Sequence, residues 1–270
     1  METKNVSSKK GFHVSAGIVI VCCFVLAILI FNFIFGNPKN FMNNDPNNHP
    51  LPGNLLGTIY KGGVIVPIIQ TLLLTVLVLS IERFIAVMRA QGKKKLVTFV
   101  ENIKAALSSG NMDEAKKICD EQKGSVANVV NAGLMKYAQM EKETDLTREQ
   151  KENIIQKEIE EATTLELPSL EQNLPIIATM TTLGTLMGLL GTVIGMIKSF
   201  AALANAGSPD SIALSTGISE ALVNTAFGIA TGALAVISYN YFTTKIDGIT
   251  HAIDEVGFTM VQSFSESQSK

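Results

Sequence analysis

Four long apolar stretches, Val14–Phe35, Val64–Ile81, Pro175–Leu203 and Pro209–Tyr241, constrain this sequence more than any other feature. A helix crosses the hydrocarbon core of a bilayer in about 17–25 residues, and each stretch is long enough to do so. The expected fold class is therefore all-α: a polytopic helical membrane protein with four transmembrane helices and a helical insertion. The 270-residue chain carries a formal charge of −2, with lysines scattered rather than gathered into a basic groove, which excludes a nucleic-acid footprint.

Charge around the spans sets the expected topology. Lys4, Lys9 and Lys10 precede the first stretch, and Arg89, Lys93, Lys94 and Lys95 follow the second. Basic residues next to spans mark the cytoplasmic side, so the N-terminus is placed inside. The first apolar run ends in Phe31-Asn32-Phe33-Ile34-Phe35-Gly36 without a small-x-small cleavage site, and reads as an uncleaved span. The expected layout is a cytoplasmic N-terminus (1–13), an extra span (14–35), a periplasmic loop (36–63) and a second span (64–81). A cytoplasmic helical domain (82–174), a third span (175–203), a periplasmic turn (204–208), a fourth span (209–241) and a cytoplasmic tail (242–270) complete it. The loop is rich in Asn and Pro and reads as turns, with Leu55, Leu56, Ile59 and Tyr60 in a short interfacial turn. The tail reads as amphipathic at first, fraying into Ser, Glu and Gln.

The third and fourth spans carry the unusual residues. In a helix from Pro175, Gly184, Gly188, Gly191 and Gly195 fall on one narrow face. Each glycine costs a helix roughly 1 kcal/mol in water, so four on one face need a reason. Close helix packing in lipid supplies one, the plain reading being that spans three and four pack on each other, with Gly228 on the facing side. Thr185, Thr192 and Ser199 recur every seven residues along the flank. On span four, Glu220, Asn224, Gly228 and Thr231 share a sector of about 80°. A carboxylate inside a span is costly, by about 3 kcal/mol or more, and marks a functional site by default. Thr192 and Glu220 both lie about eleven residues, roughly 16 Å, from the turn at 206–208 and share one depth. The alternative for Glu220 is a structural carboxyl hydrogen-bonded by Asn224 and a threonine.

The intervening residues 96–174 read as short amphipathic helices that either bury a small core or pack against copies of themselves. Asn111-Met112-Asp113-Glu114 and Thr147-Arg148-Glu149-Gln150 both fit a capping box. Ser108-Ser109-Gly110 and Lys123-Gly124 punctuate the insertion, and Pro168 and Pro175 bracket its junction with span three. Glu82 and Arg83 read as an interfacial ion pair reaching to the headgroups. Lys198 either snorkels outward or pairs with a partner's carboxylate. Cys22, Cys23 and Cys119 lack metal-ligand spacing and read as reduced structural thiols, and His13, His49 and His251 are isolated. No nucleophile elbow or metal motif points to an enzyme, and no metal or other cofactor is expected.

Gly188-Leu189-Leu190-Gly191-Thr192-Val193-Ile194-Gly195, then Gly217-Ile218-Ser219-Glu220-Ala221-Leu222 with Thr225 and Gly228, resemble the MotA/TolQ/ExbB proton-channel family. The resemblance runs from about Val64 to Tyr241 and leans toward its ExbB branch. It implies a stator of the bacterial inner membrane: a homo-oligomeric ring, pentameric in the family, around the spans of an ExbD-like single-span protein. Proton flow through that interface would energise outer-membrane transport through a TonB-like protein. Carried over by motif, Thr192, Glu220 and Thr225, with Asn224 beside them, would line the ion pathway, the proton acceptor itself sitting on the partner. A TolQ-like or flagellar-type stator and a passive membrane scaffold are the alternative readings, and sodium would suit the same groups. The chain departs from the ExbB pattern in its extra first span. In addition, Thr225 lies about 140° from Glu220 on an ideal helix, so the two face different neighbours unless the helix is irregular near Gly228.

Overall fold

The computed structural model describes residues 15–205 and 211–268. Its regular structure is helical: α1 (Ala16–Ile30) closing in a π turn at Phe31–Phe35, α2 (Leu55–Lys61), α3 (Ile65–Gln91), α4 (Leu96–Ser108) and α5 (Met112–Gln122). Then follow α6 (Gly124–Lys142), α7 (Arg148–Glu171), α8 (Leu174–Asn205) and α9 (Ser211–Ser267). Four of the helical runs are long and apolar enough to cross a membrane, as the four apolar stretches predicted. The chain is an all-α, multi-pass membrane protein. The expected N-cap at Ser208 and proline at Pro209 lie outside the described residues.

The described residues of 1–79 and 176–236 form one compact unit, and those of 80–175 and 237–270 a second. In the first, the polar loop after α1 is more ordered than a run of turns. Asn40 is its hub. Its amide donates to the carbonyls of Ile34 (2.9 Å) and Phe35 (3.0 Å), and its oxygen accepts from Asn54 (3.1 Å). Tyr60 stacks on Phe31 with ring centroids 4.7 Å apart and meets the edge of Phe41 at 5.5 Å. The π turn at Phe31–Phe35, a single helical turn at Pro38–Asn40 and α2 are thereby tied into one cap. Leu55, Leu56, Ile59 and Tyr60 lie on α2, the short element expected there, which Asn54 caps through the Gly57 amide.

The second unit buries a core of its own. Phe99, Ile103, Leu107, Val126, Val130, Tyr137 and Ile155 are buried, and so are Ile249, Val256, Met260 and Phe264 from the end of α9. Tyr137 and Phe264 meet edge to face at 4.9 Å. The expected fraying of the tail is thus corrected: the helix runs to Ser267 because its apolar face completes this core. Thr147 forms the full capping box with Gln150, whereas Asn111 caps only through the Glu114 amide. Gly110 and Lys123-Gly124 break the chain at positive φ (69°, 58° and 86°), and Asn173 does so at 65° between α7 and α8.

Arg83 also departs from expectation. Instead of reaching to the headgroups it is 2% exposed. Its guanidinium donates to the carbonyls of Ser169 and Leu170, both at 3.0 Å, and grips Glu82. A planar five-donor group satisfies several acceptors at once, which is why Arg rather than Lys suits this buried junction. Cys119 is buried as well; desolvation, with a smaller contribution from Asp120, pushes its thiol up to about 12. It stays protonated at neutral pH, as a structural thiol does.

Candidate functional site

The glycine stripe meets a second set of small residues head on. A Cβ on Gly184 would lie 3.0 Å from the Gly232 nitrogen, and one on Gly188 would lie 3.0 Å from the Gly228 Cα. One on Gly191 would fall 2.6 Å from the Asn224 Cβ, and one on Gly195 2.7 Å from the Ala221 Cβ. A Cβ on Gly228 would in turn fall 2.5 Å from the Gly184 carbonyl oxygen and 2.6 Å from the Gly188 Cα. The stripe therefore seats α8 on α9 backbone to backbone within the chain, the plain reading of the spacing.

This approach brings polar side chains together inside the membrane. The Thr192 and Thr225 hydroxyls hydrogen-bond each other. Both also reach the Gly188 carbonyl, at 3.3 and 3.2 Å, and Thr192 lies 3.5 Å from the Ala221 carbonyl. Of the threonine and serine series on α8, Thr185 and Ser199 bond back to their own helix at Thr181 and Gly195. Among the described residues, Thr192 alone of the three bonds across to α9. Its contact with Ala221 sets it at the depth of Glu220, as counting from the turn predicted.

Glu220 faces elsewhere. It is partly buried, and the charged groups acting on it are Lys61 and Lys198. Lys198 Nζ lies 3.6 Å from where a Cβ on Gly63 would stand, so this lysine turns toward the start of α3. Asn224, although on the Glu220 side of α9, donates to the Gly62 carbonyl at 3.1 Å and is 3% exposed. Its Oδ1 has no donor among the described residues. The structural alternative in which Asn224 holds the carboxyl is not what is seen. The 140° separation is real because α9 continues as helix through Gly228, and Thr225 and Glu220 contact different neighbours. Sequence reading had Lys198 snorkel outward or pair with a partner's carboxylate; that it acts on Glu220 of its own chain together with Lys61, beside the glycines before α3, was missed.

The described residues hold no cluster of three or more His, Cys, Asp or Glu able to bind a metal. What the fold and site define is a multi-pass helical membrane protein. Two of its spans, packed on glycine, enclose a hydroxyl pair at the depth of an intramembrane carboxylate.

The profile of the MotA/TolQ/ExbB proton channel family matches residues 121–255, and the chain belongs to that family. Among curated relatives, the Tol-Pal system protein TolQ of Pseudomonas aeruginosa is 26% identical over 66% of this chain and 79% of its own length. The biopolymer transport protein ExbB of Salmonella typhimurium is 32% identical over 30% of this chain and 33% of its own. A putative biopolymer transport protein ExbB homolog of Methanothermobacter thermautotrophicus is 23% identical over 72% of this chain and 65% of its own. In the last two matches the chain spans less than two thirds of the relative's length.

Proposed function

We infer that this chain is an ExbB-like subunit of a proton-driven motor in the bacterial inner membrane. In this reading the N-terminus and the helical insertion (82–174) are cytoplasmic, and copies of the chain form a pentameric ring. The ring surrounds the span of an ExbD-like protein and passes energy to a TonB-like protein for outer-membrane transport. The observation that carries the reading is the Thr192–Thr225 hydroxyl pair between two glycine-packed spans, at the depth of Glu220. Hydroxyls and a carboxylate at mid-membrane form the polar wall a proton path requires, the remainder coming from the partner helix. Each elementary charge crossing 100 mV releases about 2.3 kcal/mol, enough to drive a conformational step. Lys198 and Lys61 supply counter-charges for the ionised carboxyl. Asn224 and the glycines, Gly228 included, hold the wall in place.

A second reading exchanges the partners. A TolQ aligned over 66% of this chain and 79% of its own length supports a Tol-type motor with the same ion chemistry. Affinity purification from the native membrane, with mass spectrometry of what accompanies the chain, separates the two. Recovery of a single-span protein with an aspartate in its span, together with a TonB-like component, supports the ExbB reading. A Tol-type component in its place supports the second. A homo-oligomer without any single-span partner removes both and leaves a passive scaffold.

A further inference from the structure

α3 changes character along one face. Ile81, Phe84, Ile85 and Met88 recur at helical spacing and are 62%, 48%, 45% and 54% exposed. Arg89 follows near the same face, and Lys93 lies just past the helix end at Gln91. A helix starting at Ile65 uses about 20 residues to cross the hydrocarbon, so Phe84–Met88 lie at its edge and Arg89–Lys93 in the headgroup layer.

A groove of about 440 Å³ opens at this point, between the end of α3 and the junction of α5 with α6. Phe84, Ile85 and Met88 form its apolar bed, and Arg89, Lys93 and Lys123 its rim. A smaller recess beside Phe84 and Met88, lined also by Tyr241 and Lys245, extends the bed. The floor is rigidly built. Gln122, fully buried, donates to the carbonyls of Gln91 (2.6 Å) and Lys94 (2.9 Å), and its own oxygen accepts from the Lys94 amide (3.1 Å). Gly92, at φ +85°, passes so close to Gln122 and Lys123 that any side chain there would collide with them. Lys123 itself is held at φ +58°, a costly conformation for a residue with a Cβ.

The charges are arranged for an external anion. Of the acidic side chains nearby, Glu82 grips Arg83 and Glu121 pairs with Lys94 at 2.9 Å, while Asp120, three residues before Lys123, is the exposed carboxylate the three cations outnumber. Arg89, Lys93 and Lys123 are exposed and form no ion pair among the described residues. A ligand that fits must be apolar toward the membrane and anionic away from it.

We propose that this groove binds an anionic phospholipid. The acyl chain lies on Phe84, Ile85 and Met88, and the phosphate is held by Arg89, Lys93 and Lys123. The site rests on α3 crossing the membrane and is independent of which motor the chain serves. A lipid there ties the start of the soluble helices to the membrane surface.

The test is native mass spectrometry of the purified full chain, with any bound partners, offered equimolar phosphatidylglycerol and phosphatidylcholine. The expected result is preferential retention of phosphatidylglycerol. That preference falls about tenfold or more in R89Q/K93Q/K123Q, as expected from the loss of several surface cation contacts. A control, K116Q/K117Q/K142Q, removes the same charge elsewhere in the unit and keeps the preference. Should the triple variant fail to fold, K123Q alone is expected to show a smaller loss. Equal retention of the two lipids by the wild-type chain overturns the proposal. So does displacement by inorganic phosphate as effective as by the lipid, which would make the site a free-phosphate site. A change of oligomeric mass in the triple variant with the lipid preference intact would assign the groove to a second copy of the chain, and also overturns it.

Discussion

The two compact units solve the same problem, packing helix on helix, with opposite materials. Where α8 meets α9 in the membrane unit, contact is made by Gly184, Gly188, Gly228 and Gly232, and the backbones nearly touch. In the second unit contact is made by large side chains such as Phe99, Tyr137, Ile155 and Phe264. The solvent explains the difference. Water rewards burial of apolar area at roughly 25 cal/mol per Å², so large side chains hold soluble helices together. Lipid offers no such reward, leaving close van der Waals fit and hydrogen bonds across small residues. Polar groups follow the same division. The membrane unit encloses Thr192, Thr225 and Asn224, whereas the second unit keeps ion pairs such as Lys104–Glu255 and Lys136–Glu158 toward its surface. In the membrane unit the glycines that allow the approach also bring the hydroxyls together.

The largest expected effect is on the side-chain core. Phe264→Ala should destabilise the second unit by about 3–5 kcal/mol, measured by denaturant unfolding followed by circular dichroism. A loss below 1 kcal/mol would mean that the end of α9 is not part of that core. Next comes the backbone-packed contact: Gly228→Leu should cost up to about 3 kcal/mol and lower the yield of monodisperse protein in detergent. Normal yield and melting would refute the close approach of α8 and α9.

Smaller effects sharpen the contrast. Thr192→Val should cost about 1 kcal/mol, and the double variant with Thr225→Val should cost less than the sum of the singles. Strict additivity would argue against the hydroxyl pair. In the second unit the raised thiol of Cys119, about 12 against an ordinary 9.0, gives a pH signature. Between those values the folded chain keeps a proton that the unfolded chain releases, so stability falls as pH rises from about 9. The wild-type chain should lose stability over that window more steeply than Cys119→Ala; identical pH profiles would mean the thiol is not desolvated.

Much of this was legible in the sequence. The four apolar runs, the glycine spacing and the Thr147 capping box are local patterns, and local patterns translate directly into helices and faces. The depth shared by Thr192 and Glu220 followed from counting residues. The long-range partners did not follow. Arg83 is buried because two carbonyls at Ser169 and Leu170 come to meet it, which no window around Arg83 contains. Thr225, not Glu220, receives Thr192 because the glycine contact sets which faces of α8 and α9 oppose, and a helical wheel of one span is silent about that. The polar tail sequence suggested fraying because its partners, Leu107 and Tyr137, lie more than a hundred residues upstream.

The central claim is that the polar wall in the membrane unit serves proton movement, and proton flux tests it directly. The complex captured from the native membrane would be reconstituted in liposomes containing a pH-sensitive dye, with an imposed pH gradient. Wild-type complex is expected to admit protons at a measurable rate, and Glu220→Gln, assembled to the same mass with the same partners, is expected to abolish that flux. Flux at the wild-type rate in the assembled Glu220→Gln complex would contradict the account and return Glu220 to a structural role.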